Sequence, residues 1–247
     1  MTDSSPFLDR DPLTTDQALS LLTYGHIELV GRMPYSSNAT FLVNVTDDNL
    51  IAQAIYKPAA GESPLWDFPD GLFRREIAAF ATSEALGWNL VPPTIGRDDL
   101  VHGTGSLQLF MPCVFEEHYF SLRDAGTSYD QQFRQICAFD VVINNTDRKS
   151  GHCLLGTDDR IWAIDHGVAF HQEDKLRTVI WDFAGELVDQ AWIDDLWRLH
   201  QEFPEPLAEL LSRPEHEAMK ARIAGLATTG RLPHDDTGGR RWPWPLV

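Results

Sequence analysis

The first 13 residues, MTDSSPFLDRDPL, are mostly polar, hold two prolines and lack any apolar period, so residues 1–13 are predicted to be a flexible arm. Periodicity begins directly afterwards. Thr14, Thr15 and Asp16 form a cap signal ahead of DQALSLLTYG, which predicts a helix ending at Gly25. The pattern then shortens to the two-residue alternation of strands in IELVGRM (27–33), ATFLVNV (39–45) and LIAQAIYKP (50–58). Asp47-Asp48-Asn49 supplies a turn between the last two, and the whole reads as an antiparallel meander with a polar loop after its first strand.

Residues 58–71 are rich in Pro, Gly, Asp and Trp and are predicted to be a loop. In Leu72–Leu86 the period lengthens again: Leu72, Phe73, Ile77, Phe80, Ala81 and Leu86 share one broad helical face, and Gly87 ends the helix. VPPTIGRDD leads into a hairpin whose second strand is SLQLFMPC (106–113). Tyr129–Val142 has helical spacing, HCLLG and IWAID flank the turn Thr157-Asp158-Asp159, and helical stretches alternate with prolines after Ala184. The tail RRWPWPLV is predicted to pack on the body in extended form. Strands first and helices later, with a break near residue 112, predict an α+β fold of two lobes: a β-rich one over 14–112 and a mainly helical one over 113–247.

Composition narrows the partners. The 247 residues are 43% apolar with 8 Trp and 13 Phe, which is globular, and 37 acidic against 20 basic residues leave a formal net charge of -17. Such a surface repels nucleic acid and anionic lipid within about a Debye length, ~8 Å at physiological salt. The three cysteines form no CxxC pair and are odd in number, as expected of thiols in a reducing compartment. With no secretory pattern at the N-terminus and no apolar run of the ~20 residues a membrane helix needs, the expectation is a cytoplasmic protein without stable membrane association.

The chemistry concentrates in two segments. Asn144-Asn145-Thr146-Asp147-Arg148-Lys149 precedes Trp162-Ala163-Ile164-Asp165-His166-Gly167, and the residues between them have the length of a tight hairpin. That hairpin would bring Asp147 and Asp165 to the same end of the ribbon. Taken singly, each Asn, Thr or Asp here reads more readily as a turn cap. Two converging carboxylates suit metal binding and proton abstraction, the two functions that phosphoryl transfer requires.

NNTDRKSGHCLL and IWAIDHG resemble the catalytic and metal-binding segments of the phosphatidylinositol 3-/4-kinase-like superfamily. The type II phosphatidylinositol 4-kinases and HipA-like kinases are similar in motif, and Asp147–His152 with Asp174–Val179 resemble a narrower bacterial family of this type. The resemblance spans roughly residues 27–170. It implies a kinase-like fold that binds ATP with Mg2+ or Mn2+, with Asp147 as the catalytic-loop aspartate and Asp165 as the metal aspartate. Asn145 and Arg148 are implied to shape the catalytic turn. Ala54-Ile55-Tyr56-Lys57-Pro58 resembles the strand that carries the ATP lysine, and Glu76 matches the glutamate that pairs with Lys57. Gly31–Asn38, with Ser36, Ser37 and Asn38, occupies the place of the phosphate loop, although taken alone it reads better as an ordinary hairpin loop. Phe110 and Met111 fall where the lobes join and adenine would lie.

One position departs from the family pattern. His152 stands where the superfamily has a metal-binding asparagine, which allows three readings: a softer metal, a single metal site, or nucleotide binding without catalysis. The expected activity is transfer of the γ-phosphoryl group of ATP to a hydroxyl of a protein or small molecule. A lipid acceptor ranks lower because the chain has no polybasic patch, clustered cysteines or amphipathic anchor. An inactive nucleotide-binding pseudokinase, a nucleotidyl transferase on the same fold, and a metal-dependent hydrolase are the alternatives. Lys175-Leu176-Arg177 is a basic island that suits either an anionic group or an ion-pair network.

Overall fold

A computed structural model describes residues 7–8, 10–34 and 38–247. Helix α1 (Thr15–Tyr24) starts at a capping box, in which Thr14 Oγ1 accepts from the Gln17 amide at 3.2 Å and Gln17 Oε1 from the Thr14 amide at 3.0 Å. The meander follows as β1 (His26–Arg32), β2 (Phe41–Thr46) and β3 (Ile51–Pro58), and the later hairpin as β4 (Thr94–Arg97) and β5 (Gly105–Leu109). They form one antiparallel sheet of order β1-β2-β3-β5-β4. Gly31 pairs with Leu42 inside β1, beyond a register irregularity, so the loop starts later than the sequence implied. Ser36 and Ser37 lie outside the described residues.

Strand alternation sorts β3 into two faces. Ala52, Ala54 and Tyr56 join Ala18, Leu21 and Leu22 of α1 in the smaller apolar core. Gln53, Ile55 and Lys57 point to the opposite face, shared with Gln108 and Ser106 across the β3–β5 register. Helix α2 (Leu72–Leu86) packs on that face; a Cβ on Gly96, opposite Ser106, would stand 3.1 Å from Ile77.

The larger core takes in α2 itself. Ala78, Ala79 and Phe80 pack with residues of α4 (Asp130–Ile143), α5 (Gln190–Gln201), α6 (Glu205–Leu210) and α7 (Arg213–Thr229), among them Phe139, Leu196, Leu207 and Ile223. The helix that carries Glu76 is therefore seated in the helical half while touching the sheet, which places the Lys57 face between the two cores. Helix α3 (Tyr119–Ala125) was not anticipated; seven residues are too few to show a period.

The strand expected to run to Cys113 ends at Leu109. Residues 110–112 cross between the halves, and β6 (Cys113–Val114) enters a second sheet, β6-β7-β8, with β7 (Cys153–Gly156) and β8 (Ile161–Ala163). The tail is pinned as expected: Leu246 packs on the larger core and its carbonyl accepts from the Ser150 amide at 2.8 Å.

Candidate functional site

Lys57 leaves the central strand β3 facing α2 and finds two carboxylates. Its ammonium hydrogen-bonds Glu76 and, at 2.8 Å, Asp165 Oδ1. Burial works against the ammonium, but the attraction of Asp165 and Glu76 outweighs it and holds the Lys57 pKa above its ordinary value. Glu76 is only 2% exposed, and its second oxygen accepts from the His166 amide at 3.0 Å. One buried carboxylate thus ties the lysine strand to the segment that follows β8.

The β7–β8 hairpin sets the other half of the site. Cys153 pairs with Ala163, and the Ile164 amide donates to the His152 carbonyl at 3.0 Å, so the residues before β7 and after β8 end together. Asp165 then adopts a left-handed backbone (φ 60), which costs about 1–3 kcal/mol and is held by its surroundings. Its side chain remains 50% exposed, and Lys57 holds its pKa well below the usual carboxylate range. The His152 imidazole spans the gap to the other aspartate. Its Nδ1 lies 3.0 Å from the Asp147 carbonyl and its Nε2 3.3 Å from Asp165 Oδ2. Burial pushes the His152 pKa down to about 4, so the ring is neutral near pH 7. Asp147 itself is raised by burial, an effect that its ion pair with Lys149 opposes.

Asn145 and Arg148 sit behind these groups. Both are fully buried, and the Arg148 guanidinium uses all five N–H groups: Asp140 at 2.9–3.2 Å, the carbonyls of His152 (3.1 Å) and Ile164 (2.8 Å), and His166 Nε2 at 2.7 Å. Asn145 donates to Asp140 at 3.0 Å and accepts the Asp147 amide at 3.0 Å. Arg148 has no donor left for a ligand, and Asn145 is held on both sides by Asp140 and the Asp147 amide, so their part is to fix the turn that presents Asp147. Arg148 donates to His166 Nε2, which leaves the ring hydrogen on Nδ1; that atom is buried and without a hydrogen-bond partner among the described residues.

The remaining expected residues divide. Asn38 uses its side-chain oxygen on the Ser63 amide at 2.8 Å, tying the first loop to the 58–71 loop. Phe110 lies on the Lys57 side of the sheet beyond β5, its amide donating to the Gln53 carbonyl at 2.9 Å, while Met111 packs against the smaller core. Lys175 pairs with Asp67 at 2.7 Å beneath the Trp66 ring, so the basic island serves in part as an ion-pair and cation–π anchor. Sequence reasoning passed over Lys149 and Asp140. An Asp-x-Lys spacing could have pointed to the first, and a lone charge within the apolar run ICAFDVVI to the second.

No family model matches the sequence. Protein Rv2133c of Mycobacterium tuberculosis is 36% identical over 93% of this chain and 95% of its own length. The chain belongs to the family of Protein Rv2133c. Among solved structures, the Golgi casein kinase with Mn/ADP bound aligns with a TM-score of 0.54 at 17% identity, covering 94% of this chain and 80% of that one. Hydra Fam20 with sugar aligns with a TM-score of 0.55 at 12% identity, covering 87% of each chain. The α+β architecture of this Rv2133c relative is thus the kinase-like fold.

Proposed function

We propose that the protein is an ATP-dependent phosphotransferase acting on a hydroxyl of a protein or small molecule. The observation that carries the reading is the convergence of Lys57, Glu76 and Asp165, a cation held between a buried and a half-exposed carboxylate in the cleft of a kinase-like fold. Lys57 would hold the α- and β-phosphates, with Glu76 keeping the ammonium in place. Asp147 would orient the acceptor hydroxyl and take its proton, with Lys149 beside it to offset the charge that develops on the transferred group. Adenine would lie under Ile55 against Phe110 and the backbone of the crossing residues 110–112, with the Met111 side chain turned to the smaller core.

The donor set fits a divalent ion. Asp165 offers a half-exposed carboxylate with His152 Nε2 3.3 Å away, and with the ring hydrogen on Nδ1, toward the Asp147 carbonyl, the Nε2 lone pair would be open to the ion. Among the described residues no group of three or more His, Cys, Asp or Glu forms a closed cage. Two protein ligands with phosphate oxygens completing the shell is the arrangement expected of a nucleotide-bound Mg2+ or Mn2+. When bound, the ion would neutralise charge on the phosphates.

The net charge of -17 disfavours an anionic lipid headgroup as the acceptor. The neutral His152 also favours a second reading, nucleotide binding with slow or absent turnover. Melting curves of the wild type and Asp165→Ala, with ATP and either Mg2+ or Mn2+, test the nucleotide step. A ligand at about 100 times its dissociation constant adds about 2.7 kcal/mol of stability. A metal-dependent upward shift that Asp165→Ala abolishes is the expected result. Absence of a shift with both metals would overturn the reading, and binding without γ-phosphate loss would select the second one.

A further inference from the structure

The residues ahead of α1 lie across the crossing segment. The Phe7 and Phe110 rings stack with centroids 4.7 Å apart and planes 7° from parallel, and Phe7 also meets Phe115 at 4.9 Å. Arg10 Nη2 donates to the Phe110 carbonyl at 3.2 Å, and the Leu8 amide donates to Gln53 Oε1 at 2.9 Å. Gln53 and Phe110 stand on the Lys57 side of the sheet, because they share its alternation along β3 and across the β3–β5 register. Gln53 is 3% exposed, and its amide nitrogen also binds Asn44 Oδ1 at 3.3 Å, which fixes the oxygen toward the arm.

We propose that Phe7, Leu8 and Arg10 form a strap that imitates a purine at the adenine end of the cleft and must leave before nucleotide binds. An adenine ring has a flat apolar face and an exocyclic amine, and it is recognised by stacking and by a backbone carbonyl that accepts from the amine. The strap presents the same chemistry to the same partners: a flat ring on Phe110 and an N–H donor on the Phe110 carbonyl. The strap is poised to release. Among the described residues Arg10 also donates to the Asp11 carbonyl at 3.0 Å, and burial lowers its pKa, so undocking restores hydration to its guanidinium. The inference rests on the nucleotide reading of the cleft and adds regulation to it. A strap docked nine-tenths of the time would raise the apparent dissociation constant about tenfold.

The test is calorimetric titration of the full chain with ADP and Mn2+, comparing the wild type, Phe7→Ala/Arg10→Ala, and Asp165→Ala in both backgrounds. The expected result is an affinity about five- to tenfold tighter in the strap variant, lost in both Asp165→Ala proteins. Amide exchange supplies a second readout: Leu8 should exchange faster when nucleotide is added to the wild type, while the melting temperature of the variant reports its folding. Equal affinities, or weaker binding by a variant that melts like the wild type, would overturn the strap and leave the nucleotide site standing. Absence of binding in the wild type and the strap variant would overturn the nucleotide reading and the strap together. Slower or unchanged exchange at Leu8 on nucleotide addition would also sink the strap.

Discussion

His152 Nε2 and Asp165 Oδ2 face each other at 3.3 Å, a ring nitrogen opposite a carboxylate oxygen with the imidazole neutral near pH 7. With the ring hydrogen on Nδ1, where the Asp147 carbonyl accepts it, the two are acceptors that gain by taking up a cation between them. One nitrogen and one oxygen donor favour a softer ion than two oxygens do.

The first prediction concerns that choice of metal. Wild-type protein is expected to bind nucleotide more tightly with Mn2+ than with Mg2+, by about tenfold, and His152→Asn to remove most of the difference. Titration of ADP in each metal measures it. The same metal ratio in both proteins would show that His152 is not a ligand.

The role of Asp147 separates binding from turnover. Asp147→Asn preserves size and part of the hydrogen bonding, so nucleotide affinity should stay within a few-fold. Loss of a general base costs ~10²–10⁴ in rate. Release of phosphate from ATP to water, followed against the Asp165→Ala blank, provides the measurement without an identified acceptor. Unchanged release would remove Asp147 from the chemistry.

Stability should depend strongly on a pair that never meets a ligand. Asp140 and Arg148 are both 0% exposed and bonded to each other. Arg148→Met leaves the Asp140 carboxylate buried without its cation, which is expected to cost about 3–5 kcal/mol. Asp140→Asn should cost less, because the amide oxygen still accepts from Arg148. Urea unfolding midpoints report both, and a loss below ~1 kcal/mol for Arg148→Met would contradict the network, given that value for breaking a buried pair.

The thiols offer a test of packing. Burial pushes Cys113 up to about 11 and Cys153 up to about 12, and Cys137 is raised as well. The thiolate is the reactive form, so native protein should label slowly at pH 8, with Cys113 reacting first because it alone is partly exposed. The Cys113 rate should rise with pH until about pH 11, while denatured protein should label at all three sites quickly. Rapid labelling of Cys137 or Cys153 in folded protein would show that the larger core is not packed as described.

Much of this was legible in the chain because it is local. The period of each strand and helix, the cap at Thr14 and the turn at Asp47 act over a few residues, and so does the hairpin that returns Asp165 to the end where Asp147 lies. The pairing of Lys57 with Glu76 was readable only through the resemblance to kinase segments, since each residue by itself reads as an ordinary surface charge. Tertiary structure alone decided what joins distant segments. That α2 seats in the helical core, that Asp140 neutralises Arg148, that a short α3 forms, and that His152 turns Nε2 toward Asp165 all depend on burial. Burial decides the partners of a charge or a ring nitrogen by removing water as an alternative, and no pattern along the sequence records which groups are left facing each other when water is gone.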